Sequence, residues 1–132
     1  MSLLVLIFAT GLIFLIADAV MLSTVIKPLF ERHLGDTLLG GIRPLPATLF
    51  YVVYMGGTLW FAGWPALRDG TPSTALVNGA ILGFVAYGTY ELTSWTVMRQ
   101  WHPSMVAVDM AWGTALTALS AWGGVMAARA VA

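Results

Sequence analysis

Three carboxylate residues, Asp18, Glu91 and Asp109, fall inside long apolar runs of the chain. An ionised carboxylate at mid-membrane costs roughly 2.5–3.5 kcal/mol on insertion scales. Each therefore needs hydrogen-bond donors, a cation or a proton. The same runs hold donors: the phenols of Tyr51, Tyr54, Tyr87 and Tyr90, the hydroxyls of Thr93 and Ser94, and the indole of Trp112. Arg99 can reach back toward Asp109 by extending its stem. Burial favours the neutral form of a carboxyl group, so two acids in close quarters can share one proton. Two roles fit these acids. They can staple helices together as polar glue, or they can handle protons, an ion or a substrate. Catalysis, if present, would be acid–base work by carboxyl and tyrosine groups. There is no glycine-rich phosphate loop, no His-Glu-x-x-His and no nucleophile elbow.

Hydrophobic residues make up 59% of the 132 and charged residues 9%. A soluble domain has about 45–50% and about 25%. Six acidic and six basic side chains cannot clothe a water-facing surface of this size. Composition therefore points to an integral membrane protein. A formal net charge of zero leaves no electrostatic footprint for nucleic acid. The absence of cysteine excludes disulfides, thiol redox chemistry and iron–sulfur ligation. No cofactor or metal is expected. The single lysine, Lys27, adjoins Pro28 and gives a Schiff base no anchor. A bis-histidine haem would want His33 and His102 on facing helices, and both lie outside the apolar runs.

A hydrocarbon core of about 30 Å needs about 20 helical residues to cross it. Four stretches reach that length, about 3–26, 47–67, 74–98 and 106–128. They predict an all-α, antiparallel four-transmembrane-helix bundle in a single domain. Long continuous runs speak against a β-barrel. Ala17-Asp18-Ala19 mimics a signal-peptide cleavage site, but no basic residue precedes the first run. After that run, Pro28 suits a helix start and Gly35 a stop. Leu29, Phe30 and Leu34 alternate with Glu31, Arg32 and His33, which predicts a short amphipathic helix at the membrane surface. The later links are short, so consecutive helices are antiparallel neighbours. Lys27, Arg32, Arg43 and Arg99 fall on one side, against Arg68 and Arg129 on the other. The positive-inside rule places the first group in the cytoplasm and both termini outside.

At about 1.5 Å per helical residue, Asp18 lies about 12 Å inside the predicted cytoplasmic end, Glu91 about 10 Å and Asp109 about 5 Å. Tyr51 and Tyr54 come out at about 6 and 10 Å from the same end. The polar groups thus gather in one half of the membrane. Helical spacing sharpens this. Gly79, Gly83, Tyr87 and Glu91 recur every fourth residue and share a face. The two glycines let a neighbouring helix come close. Asp109, Trp112, Gly113, Thr117, Ser120 and Gly124 make a similar stripe on the last helix. Glu91 is the expected centre, bonded to Asp18, Tyr54 or Asp109. The tryptophans outside these stripes, Trp101 among them, fit belt anchors.

Phe50-Tyr51-Val52-Val53-Tyr54, Tyr87-Gly88-Thr89-Tyr90-Glu91-Leu92-Thr93-Ser94, Trp101 and Val108-Asp109-Met110-Ala111-Trp112-Gly113 resemble a bacterial group of predicted membrane proteins, domain of unknown function 2177. The resemblance spans nearly the whole chain, with Asp18 matching an early aspartate. It departs after Asp18, where Ala19-Val20-Met21 lacks an aromatic. It implies four helices in a bacterial inner membrane and singles out Asp18, Tyr90, Glu91, Thr93, Asp109 and Trp112. It brings no assigned activity.

The expected function is a polar intramembrane pocket, formed by these residues with Tyr51, Tyr54 and Tyr87, that binds a membrane lipid or another hydrophobic small molecule. The protein would be a non-catalytic accessory to a membrane process. The alternatives are a proton-coupled enzyme or transporter using Asp18 and Glu91, and a structural subunit of a larger complex. A transport path would call for a homo-oligomer.

Overall fold

The computed structural model describes residues 1–132, and the chain is all-helical. Four helices follow in order: α1 (Ser2–Thr37), α2 (Pro44–Arg68), α3 (Pro72–Val97) and α4 (Pro103–Ala130). The last three each open on a proline, whose fixed φ and missing N–H suit a first helical turn. These starts lie a few residues before the apolar runs begin, because first turns led by proline carry little hydropathy signal. By length and composition, α1 and α2 can each cross a membrane. The helices α3 and α4, at 26 and 28 residues, are long enough but richer in Gly, Ser and Thr.

The separate interfacial helix expected after the first run is absent; residues 27–34 continue α1. Pro28 ought to break the helix, because it lacks an N–H and crowds the preceding turn. A wide turn at Leu22–Ile26 absorbs it, with the Lys27 amide reaching back to the Leu22 carbonyl. Ser23 and Thr24 hydroxyls both donate to the Val20 carbonyl there, at 3.1 and 2.7 Å. The continuation is amphipathic as expected. Its apolar side, Leu29, Phe30 and Leu34, packs on Trp101, Met105 and Val106 at the α3–α4 link. Gly35, at φ 52°, then takes the chain out of the regular helix.

The same device recurs in α2. A wide turn at Leu59–Gly63 precedes Pro65. The proline leaves the Phe61 carbonyl without its usual amide, and Asn78 Nδ2 of α3 donates to it at 3.1 Å.

Cross-helix contacts give the directions. On α3 and α4, Gly79 meets Ala118, Gly83 meets Gly113, and Gly88 meets Met110. Rising numbers on one helix meet falling numbers on the other, so the two are antiparallel. Thr10 against Gly124 and Asp18 against Trp112 show the same for α1 and α4. Leu6 against Gly63 and Asp18 against Tyr51 show it for α1 and α2. Helix α4 has the most buried residues and packs along both α1 and α3. One end of the core is small and aliphatic, with Leu6, Ala62, Ala75, Ala121 and Val125. The middle is aromatic, around Phe14 and Tyr54. Leu12, Val53, Ile81 and Leu119 point outward and are more than half exposed. An apolar exterior on every helix suits lipid and not water.

The closest approach is between α3 and α4. A Cβ on Gly83 would stand 2.3 Å from the Gly113 carbonyl oxygen, and one on Gly79 would stand 2.8 Å from the Ala118 Cα. Both obstacles are backbone, so neither can yield without moving the helices apart. Gly83→Ala should therefore cost about 1–3 kcal/mol and lower the melting temperature in mild detergent. Gly56, with open space at its Cβ position, is the control. Gly56→Ala should be neutral or slightly stabilising. Equal melting of the two variants would contradict the tight α3–α4 contact.

Candidate functional site

The polar residues gather at the end of the helices that holds Asp18, Tyr51, Glu91 and Asp109. Asp18, only 6% exposed, accepts from Tyr51 Oη at 2.8 Å and from Trp112 Nε1 at 3.1 Å. One carboxylate thus ties α1 to α2 and α4. Next to it, Tyr54 Oη lies 2.7 Å from Thr117 Oγ1. The Thr117 hydroxyl gives its own proton to the Gly113 carbonyl at 2.7 Å. The phenol must therefore be the donor, which ties α2 to α4. The Tyr87 ring lies against Gly113, where a Cβ would come within 2.1 Å of it, and it meets Tyr54 edge-on at 5.8 Å.

Glu91 has no exposed surface. Its Oε1 accepts from Trp101 Nε1 at 2.9 Å, while Oε2 meets no donor. The Asp109 carboxyl lies within hydrogen-bonding reach of Glu91. Two carboxyl groups can bond only when one of them holds a proton. A proton on either carboxyl would let the two bond to each other. Of the three partners expected for Glu91, Asp109 is therefore the one in place. Asp18 and Tyr54 belong to the neighbouring network. Trp112, one turn along from Asp109 on α4, belongs to the Asp18 network.

The remaining expectations diverge. Thr93 is exposed and spends its hydroxyl on the Thr89 and Tyr90 carbonyls of its own helix, so it stands apart from the cluster. Tyr90 is 54% exposed and packs edge-on against Trp101 at 5.6 Å. Arg99 is exposed and forms no ion pair with Asp109; the single ion pair joins Arg68 to Asp69. Trp101 is buried and holds Glu91, where a belt anchor was expected. Thr117 was visible on the α4 stripe but carried no sign that it would meet a tyrosine. His33 and His102, from α1 and the start of α4, stack at 4.1 Å. Ser104 Oγ sits 2.8 Å from His102 Nδ1 and 3.3 Å from His33 Nε2.

An open cleft of about 770 Å³ runs beside this cluster, between the C-terminal part of α1, the loop at 37–42 and one edge of α3 and α4. Leu22, Ile26, Phe30, Leu38, Leu39 and Ile42 make it apolar. Lys27, Glu31, Tyr90 and Asp109 are its chargeable members, with the hydroxyls of Ser23 and Thr37 beside them. Of the site residues expected from sequence, only Tyr90 and Asp109 face it. Asp18, Tyr51, Tyr54 and Trp112 are already engaged with one another and form a strut behind it.

The two carboxylate environments respond differently to amide substitution. Asp18 accepts two donors; an asparagine keeps an oxygen for Trp112 but loses the charge, and its amide turns the Tyr51 hydroxyl from donor into acceptor, leaving the phenol proton without its partner. Asp18→Asn should be destabilising by about 1–3 kcal/mol. Glu91→Gln instead supplies an N–H toward Asp109 and keeps an oxygen for Trp101, so it should fold as stably as the parent. In the infrared, Glu91→Gln should remove a protonated-carboxyl band that Asp18→Asn retains. Loss of that band on Asp18→Asn alone would show that the proton sits elsewhere.

Comparison with known proteins agrees with the helical, apolar character. No curated protein and no solved structure matches the chain. The family model described as Predicted membrane protein (DUF2177) matches residues 3–126. That match spans the strut, the carboxyl pair and both wide turns, and the chain belongs to this family of predicted membrane proteins.

Proposed function

We propose that the chain crosses a bacterial inner membrane four times as one helical bundle, with both termini periplasmic, and binds a lipid or other hydrophobic ligand in the α1–loop cleft. The observation that carries this is the cleft itself: apolar walls that end on the carboxyl group of Asp109, itself only 7% exposed. Ligand sites are typically concave and apolar with a few convergent polar groups. The strut around Asp18 and the Glu91–Asp109 pair keep the floor in place. With no nucleophile motif facing the cleft, the role is that of a non-catalytic accessory to a membrane process. The buried carboxyl pair favours proton coupling as a second role. Under it, Glu91→Gln would fold normally and abolish function.

The apolar exterior of all four helices supports four crossings, and the excess of Lys and Arg at the α1–α2 and α3–α4 links supports the orientation. Since the chain has no cysteine, single cysteines report cleanly. Thr37→Cys should label from the cytoplasm and Asp69→Cys from the periplasm of intact cells. Labelling of both from one side would rule out this topology. For the ligand, Ala19→Trp places a large side chain in the cleft. Protein purified in mild detergent should lose most of its co-purifying lipid on that change, measured by mass spectrometry. An unchanged lipid complement would remove the cleft from consideration.

A further inference from the structure

The cleft holds chargeable groups of both signs, and the chain itself pairs none of them. Lys27 and Glu31 stand one helical turn apart on α1 and both line it. Neither takes part in an ion pair. At the floor, Asp109 is more than nine-tenths buried, lines the cleft and receives no hydrogen bond from any N–H or hydroxyl of the protein. Buried polar atoms are ordinarily satisfied, and each exception asks for a partner. A carboxylate lining the floor of an apolar cleft is neutralised by a cation with N–H groups and not by a plain hydroxyl. The lysine ammonium supplies the opposite need, an anion.

Given that the cleft takes a lipid, as proposed above, we infer that it selects a zwitterionic aminophospholipid, whose primary ammonium bonds to Asp109 and whose phosphate meets Lys27. The acyl chains run from the cleft past Leu22 and Ala19 of α1 toward the membrane interior, and the loop at Leu38, Leu39 and Ile42 covers the glycerol region. A quaternary ammonium has no N–H to give, and a glycerol head has no cation. Phosphatidylcholine and phosphatidylglycerol should therefore be poorer ligands than phosphatidylethanolamine.

The test is native mass spectrometry of the full chain in mild detergent with equal amounts of phosphatidylethanolamine, phosphatidylcholine, phosphatidylglycerol and N-acetyl-phosphatidylethanolamine. The parent protein should retain phosphatidylethanolamine about tenfold over the other three, the factor that one charge-assisted hydrogen bond supplies. Asp109→Asn should erase that preference. Lys27→Gln, at an exposed position, should lower retention of all four lipids alike. The N-acetyl lipid keeps the phosphate and chains but loses the cation, so it tests the head without any variant that must fold. Equal retention of phosphatidylethanolamine and its N-acetyl form, with Ala19→Trp still displacing both, would overturn the headgroup assignment and leave the cleft as a lipid site. Retention that Ala19→Trp does not change would overturn both.

Discussion

The close approach of α3 to α4 is the constraint on which the other contacts depend. Gly83 lies so near the Gly113 carbonyl that no side chain fits between the helices. That spacing brings Thr117 to Tyr54, lays Tyr87 against Gly113 and brings Glu91 alongside Asp109. In lipid there is no hydrophobic drive to join helices, so dispersion and interhelical hydrogen bonds must do it. Such bonds contribute about 0.6 kcal/mol on average in membrane proteins. Several of them acting on one helix outweigh any single one, and α4 carries most of those seen here.

Polarity is distributed unevenly along the helices for a physical reason. The end holding Leu6, Ala66 and Ala128 is built of small aliphatic groups that need no partners. The opposite end holds three carboxylates, and each one demands donors. Trp112 and Tyr51 meet that demand at Asp18, and Trp101 meets it at Glu91. Of the buried hydroxyls, Thr58 and Thr117 bond to backbone carbonyls, and Thr10 and Ser120 lack partners. Thr10 sits where α1 meets α4, packed against Gly124, so its small size matters more than its polarity.

Much of this was legible in the sequence. Four apolar runs marked the helices, and four-residue spacing marked the Gly79–Glu91 face that meets α4. Depth along each helix placed Asp18, Tyr51, Glu91 and Asp109 near one another. What could not be read were distances across helices. Depth sets Asp18, at about 12 Å, closer to Glu91 at about 10 Å than Asp109 at about 5 Å, and the rotation of each helix reverses that order. Trp101 lay in a link, where periodicity has no meaning, and its turn inward depends on the α1 extension that packs over it. Thr93 sits near Glu91 in sequence, yet two residues along a helix is about 200° around it. The continuation of α1 through Pro28 was missed because proline normally ends a helix, and a wide turn leaves no clear sequence signature.

That wide turn at Leu22–Ile26 does more than accommodate a proline. One additional residue in a turn rotates everything after it by about 100° relative to a regular helix. It therefore sets the phase of the α1 extension, bringing Phe30 and Leu34 onto Trp101 and leaving Glu31 at the cleft. The first part of α1 is keyed to α4 by Asp18, and the last part by stacked histidines. The turn between them works as a phase adjuster joining two separately anchored lengths of one helix. A residue gained or lost within it would change the rotation of the second length while leaving the first in place. The shape of the cleft could then be retuned by the length of α1, with no substitution at any residue that lines it.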